Sequence, residues 1–120
     1  MRRRPFAACA TYGILRSFAF EAAARGQIPI VTPLPTCDDL KYFKSVGVFP
    51  YDCLTKMIAA QSIRYIDFGE KIAKRIAQPE NLYQVCSGHF NEAGNRLLAE
   101  IAFEYLMSDQ EVERSLRAEY

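Results

Sequence analysis

The sequence has no tryptophan and a single histidine. No stretch of it reaches the roughly 18 consecutive apolar residues that a membrane-crossing helix needs. Charge of one sign is also lacking. Fifteen Lys and Arg against fourteen Asp and Glu leave a net charge of +1, so no large field gathers nucleic acid or an acidic surface. The one basic cluster, Arg2-Arg3-Arg4, reads as a solvated, frayed terminus. The four cysteines, Cys9, Cys37, Cys53 and Cys86, form no C-x-x-C pair. With one histidine, that pattern speaks against a zinc site, and reduced, mostly structural thiols are expected. A cleavable leader is not expected either. Only Pro5, Phe6 and Ala7 separate the arginines from the small-x-small triplet Ala8-Cys9-Ala10, against the roughly 7–15 apolar residues a signal needs. The expected location is the cytoplasm, and a segment upstream of Met1 would alter that expectation.

Half of the residues are hydrophobic and 24% are charged, the composition of an ordinary folded domain with a real core. No internal repeat or low-complexity tract interrupts it. Ile14, Leu15, Phe18 and Ala22 fall at helical spacing within about residues 11–25, and Gly26 supplies a stop. Ile28-Pro29-Ile30-Val31-Thr32-Pro33-Leu34-Pro35 reads as a buried strand leaving its sheet at Pro33. Thr36 and Asp39 form a capping box for a short helix through Leu40 and Phe43 that ends near Gly47. A further helix starts near Pro50 and buries Leu54, Met57 and Ile58.

Ile63-Arg64-Tyr65-Ile66 is the second strand candidate. Asp67, with Glu70 three residues on, opens a helix whose apolar stripe is Ile72, Ala73, Ile76 and Ala77, up to Pro79. The clearest helix follows Asn91 as N-cap, with Leu97, Leu98, Ile101, Ala102, Tyr105 and Leu106 on one face. Strand, helical crossover and strand over 28–66 predict parallel neighbours, hence an α/β fold with helices covering a parallel sheet. Two strands make a poor sheet. Either a weak strand lies near Leu82–Val85, or residues 1–120 are one partial domain, with a frayed tail over 108–120.

His89 sits in the loop Cys86-Ser87-Gly88-His89-Phe90, which feeds the last helix. Loops at the ends of α/β elements mount ligand groups, and an imidazole there exchanges protons near neutral pH. A surface or capping histidine is the plainer reading. Cys86 and His89 are a second, thiolate–imidazole possibility, against which a buried structural cysteine is simpler.

The segment Gly88-His89-Phe90-Asn91-Glu92-Ala93-Gly94-Asn95-Arg96-Leu97-Leu98-Ala99-Glu100 resembles the last block of the SGNH/GDSL hydrolases. Ile28–Pro35 resembles that family's strand with a proline-rich turn, and Arg64-Tyr65-Ile66-Asp67-Phe68 its later strand ending in Asp. The resemblance spans roughly residues 26–106. It implies a three-layer α/β/α, flavodoxin-like parallel sheet, of which this chain would be the C-terminal half. It also implies that His89 is the general base toward a serine attacking an ester or acyl carbonyl, with neither cofactor nor metal. Where the family has its acid, three residues before the histidine, this chain has Cys86. A backbone carbonyl, or a carboxylate such as Asp67, would then have to orient the imidazole, although capping explains Asp67 without catalysis. The family's Gly-Asp-Ser nucleophile and Gly-x-Asn-Asp oxyanion motifs are absent, so the half-domain is expected to be inactive alone. A small ester or acylated molecule would be the substrate of a complete protein. The second expectation is a non-catalytic small α/β interaction module, self-associating through an exposed sheet edge. Neither nucleic acid nor a membrane span is expected.

Overall fold

Local signals in the sequence decide most of the helix boundaries. The computed structural model describes residues 5–76 and 81–119. The Arg2–Arg4 cluster and the Ala77–Pro79 end of one expected helix lie outside them. The elements run α1 (Pro5–Ala24), α2 (Cys37–Val46), α3 (Asp52–Ala60), α4 (Phe68–Arg75), α5 (Leu82–Val85), β1 (Cys86–Ser87), β2 (His89–Phe90), α6 (Glu92–Ser108) and α7 (Gln110–Glu119).

α1 runs out at Gly26, whose φ of 76° is open to glycine at little cost. The Thr36/Asp39 capping box forms in full. The Asp39 N–H donates to Thr36 Oγ1 (3.1 Å), and the Thr36 N–H donates to Asp39 Oδ2 (3.0 Å). Gly47 closes α2 in the left-handed region, its N–H bonding the Phe43 carbonyl at 2.7 Å. Asp67 caps α4 through the Glu70 N–H (3.0 Å), and Asn91 caps α6 through the Gly94 N–H (2.9 Å).

The expected α/β architecture does not form. The described residues are 70% helix and 4% strand, so neither the flavodoxin-like half-domain nor the small α/β module describes them. The two strand candidates do meet, in parallel, but at a single bridge between Val31 and Tyr65. The Val31 N–H donates to the Arg64 carbonyl and the Ile66 N–H to the Val31 carbonyl, both at 2.9 Å. The physical reason lies in the prolines. In a parallel ladder the next donors on this strand are residues 29 and 33, and both are proline, with no N–H to give. Beyond the bridge, Asp67 turns the second segment into α4. The Leu82–Val85 stretch is the short helix α5 rather than a strand. The ladder among the described residues is the two-residue antiparallel hairpin β1–β2, pairing Cys86 with Phe90 and Ser87 with His89 across Gly88. It offers no long free edge, which removes the expected sheet-edge route to self-association.

The core gathers Leu40, Phe49, Ile66, Phe68, Ile72, Leu82 and Ile101 around a disulfide between Cys37 and Cys86. Phe43, Phe49 and Tyr51 stack beside it, with ring centroids 4.4 and 5.3 Å apart. The Cα atoms of the bridged cysteines are 5.8 Å apart and 49 residues separate them. A cross-link of that span stabilises a chain by about 4 kcal/mol in the loop-entropy account. The expectation of reduced thiols is therefore corrected for Cys37 and Cys86, while Cys9 and Cys53 are free and exposed. Arg64, next to the Val31–Tyr65 bridge, reaches Asp109 (2.8 Å) and Glu111, and so holds the turn between α6 and α7. The hydrogen bond from Arg64 holds the Asp109 carboxyl below its usual range.

The hairpin is fixed to α6 at Asn91 and Gly94. The Asn91 N–H bonds the Val85 carbonyl (3.1 Å) and its Nδ2 the Gln84 carbonyl (2.7 Å). A Cβ on Gly94 would lie 2.3 Å from the Val85 oxygen and 2.9 Å from Phe90. Gly94→Ala should therefore lower stability by about 2 kcal/mol or more in urea unfolding, although alanine is the better helix former by about 1 kcal/mol.

Candidate functional site

β2 carries His89 directly after the Gly88 turn of the hairpin, with the side chain exposed. Among the described residues no serine or carboxylate makes a hydrogen bond or ion pair to its imidazole. Cys86 lies on the paired strand, completely buried, with its sulfur bonded to Cys37. It can act neither as a substitute acid nor as a thiolate nucleophile while that bond is closed, which corrects the thiol-dyad reading. Asp67 is occupied as the cap of α4. The charges that act on it are Glu70, Asp52 and Lys71. The expected acyl-transfer residues are thus not brought together, and the expectation of a hydrolase half-domain falls with the parallel sheet it depended on.

A different group of polar residues does converge, and the sequence analysis missed it. The Tyr51 hydroxyl is buried without a hydrogen-bond partner. Burial pushes it well above the usual phenol range, and the carboxylates of Asp67 and Asp39 add to the shift. Gly69, in the first turn of α4, leaves the room: a Cβ there would sit 2.5 Å from the Tyr51 oxygen and 2.7 Å from the Phe49 ring. Burial likewise raises the Asp67 carboxyl, partly offset by the hydrogen bond from the Glu70 N–H. The visible signal was the sequence Phe49-Pro50-Tyr51 together with a glycine flanked by Phe68 and Glu70. Nothing in residue spacing indicated that these two segments touch. Among the described residues no group of three His, Cys, Asp or Glu side chains could hold a metal ion.

An apolar cleft of about 180 Å³ opens nearby, lined by Leu40, Phe43, Lys44, Ile72, Ala73, Ile76 and Leu82.

The third feature is a surface. α1 has two charged side chains in twenty residues, Arg16 and Glu21, and its apolar residues are spread around the whole circumference. A helix of that kind is normally covered on all sides. Here it lies on α3 through Ala19 and Ala22. Ile14, Phe18 and Phe20 remain 71%, 52% and 61% exposed, and the Arg16 guanidinium lies over the Phe20 ring, 5.1 Å from its centroid. The molecule is a slab of 43 × 38 × 20 Å, the thin dimension being about two helix diameters. Its radius of gyration is 15.7 Å, where a compact chain of this length gives about 13.6 Å. Its accessible surface is 8440 Å², about 1,800 Å² more than a compact monomer of this mass exposes.

Two substitutions test the polar corner. Tyr51→Phe removes a buried, unpartnered hydroxyl and should raise stability by about 1 kcal/mol in urea unfolding; a loss would mean that the hydroxyl is satisfied in solution. For Asp67, a carboxyl whose pKa is raised on folding costs stability while charged. That cost is present above the raised pKa and fades as pH falls through it toward the ordinary carboxylate value. Asp67→Asn keeps the cap and removes the penalty, so at pH 7 it should match or slightly exceed the parent. Asp67→Ala should lose about 1 kcal/mol, read as thermal midpoints at pH 7 and pH 5.

No protein-family model, no curated protein and no solved structure matches the chain.

Proposed function

We propose that this chain is a helical association module that pairs with a second copy of itself through the outer face of α1. The observation that supports the reading is the unburied surface. An excess of about 1,800 Å² per chain falls within the roughly 1,000–2,500 Å² that each subunit of an obligate homodimer buries. A 20 Å slab doubles to a thickness usual for a domain when two copies meet face to face.

A copy of the same chain suits the face better than a charged partner. The net charge is +1, and the face carries Ile14, Phe18 and Phe20 with few ionic groups to select an opposite sign. Gly13 and Ser17 lie between those side chains along the helix, and the space around Gly13 is open. A second helix can therefore approach closely, and a two-fold axis across α1 would place the same patch on both sides. The pairing would act in assembly, and no chemical step is assigned to it.

Light scattering on the full chain at tens of micromolar should give about twice 13.7 kDa. Phe18→Glu and Ile14→Glu each place a charge twice in a two-fold interface, and should weaken the dimer on the order of a hundredfold. Phe103→Glu, on α6, should leave the dimer intact, since that exposed ring lies on another helix. A parent chain that stays at 13.7 kDa, or a Phe103→Glu effect equal to that of Phe18→Glu, would overturn the proposal.

A further inference from the structure

We infer that this chain reaches its fold only with the Cys37–Cys86 bond closed, and therefore matures where thiols are oxidised. The argument starts from access. Cys37 is 3% exposed and Cys86 0%, so neither sulfur can meet an oxidant or reductant once the core has formed around them. The bond must close while the chain is still assembling.

Connectivity makes the bond necessary. Cys37 is the first residue of α2, and Cys86 the first of β1. Among the described residues, α2 contributes Leu40 to the core but packs along no other helix over an extended surface. The hairpin and α5 lean on α6. The disulfide is thus the covalent tie between the N-terminal helices and the α5–α6 unit. Opening it in the unfolded chain restores the freedom of a 49-residue span, which lowers the folded-to-unfolded ratio about a thousandfold.

The chemistry is thiol–disulfide exchange with an external disulfide as oxidant. One cysteine thiolate attacks a sulfur of that disulfide, forming a mixed disulfide and releasing a thiolate. The second cysteine thiolate then attacks the protein sulfur of the mixed disulfide and expels the other half. Two protein thiols lose two protons and two electrons, and the oxidant becomes two thiols.

The two free cysteines complicate this route. Cys53 is exposed on α3 and is nearer to Cys37 in sequence than Cys86 is. In the unfolded chain the Cys37–Cys53 loop closes about fivefold more readily than the native one. Native pairing therefore depends on partial assembly that brings Cys86 beside Cys37 before the core closes over them, and Cys53 slows it by capturing Cys37 first. This inference is independent of the pairing proposed for α1.

The test is oxidative refolding of the full chain from denaturant. With a mixture of oxidised and reduced glutathione, the chain should regain its helical signal and a cooperative melt. Two of its four cysteines should then be open to alkylation, and peptide mapping should recover Cys37–Cys86. With excess dithiol reductant throughout, the cooperative melt should be lost. Added to the folded chain without denaturant, the same reductant should leave the bond intact. Cys37→Ala/Cys86→Ala should behave in oxidising buffer as the parent does in reductant, and Cys53→Ser should refold several-fold faster than the parent. A reduced chain that melts cooperatively at the parent's temperature with all four thiols alkylated would overturn the inference. A mapped bond other than Cys37–Cys86, or rapid reduction of the folded chain, would do the same.

Discussion

The bond between Cys37 and Cys86 lies where the weakly connected pieces of this molecule meet, and the remaining contacts arrange themselves around it. α2 enters the core through Leu40 and the hairpin enters through Cys86 itself, with Ile66, Ile72, Leu82 and Ile101 closing over the sulfurs. A parallel sheet would ordinarily tie such helices together through a continuous ladder. Here that role falls to one covalent bond, one Val31–Tyr65 bridge, the fork of Arg64 on Asp109 and Glu111, and the fork of Arg75 on Glu100 and Glu104 that joins α4 to α6. Each joins segments far apart in sequence. The small number of such ties is consistent with an extended slab rather than a sphere.

A one-sided core has consequences for the outer helices. α1 is apolar around its circumference because its composition suits a covered environment, yet α3 covers it along a single line through Ala19 and Ala22. Small residues on the covered side bring the helices close together. The bulky Ile14, Phe18 and Phe20 point elsewhere, and this distribution is the reverse of what a lone surface helix shows. At the other end of the chain α7 is polar over most of its surface, buries Val112, and is held at its start by Arg64. The two terminal helices thus differ in the environment that their side chains suit.

The reading of the sequence succeeded where a signal acts within a few residues. Thr36 with Asp39, Gly47 after Phe43, Asp67 before Glu70, and Asn91 before Gly94 all mark helix ends that the structure contains, because each is satisfied by a hydrogen bond spanning three or four residues. It failed over the sheet. Ile28–Val31 and Ile63–Ile66 have the side chains of strands, and they do pair at one point. The prolines at 29 and 33 withhold the N–H groups that a longer ladder requires.

The candidate site divides in the same way. The exposure of His89 next to Gly88 was legible from a short polar loop, and so was the capping role of Asp67. The disulfide was not, because 49 residues separate two cysteines with no motif between them. Nor was the burial of Tyr51 beneath Gly69, which needs α4 to fold back over the Phe49–Tyr51 turn. By itself the sequence determined the helix ends, the near-neutral charge and the apolar character of α1, since each depends on local chemistry or composition. The tertiary structure decided which cysteines pair, how far the strands extend and which face of α1 is left open, since those depend on long-range contacts whose partners no local pattern names. His89, where the functional reading began, lies on a hairpin whose neighbouring strand is held by a cysteine 49 residues away.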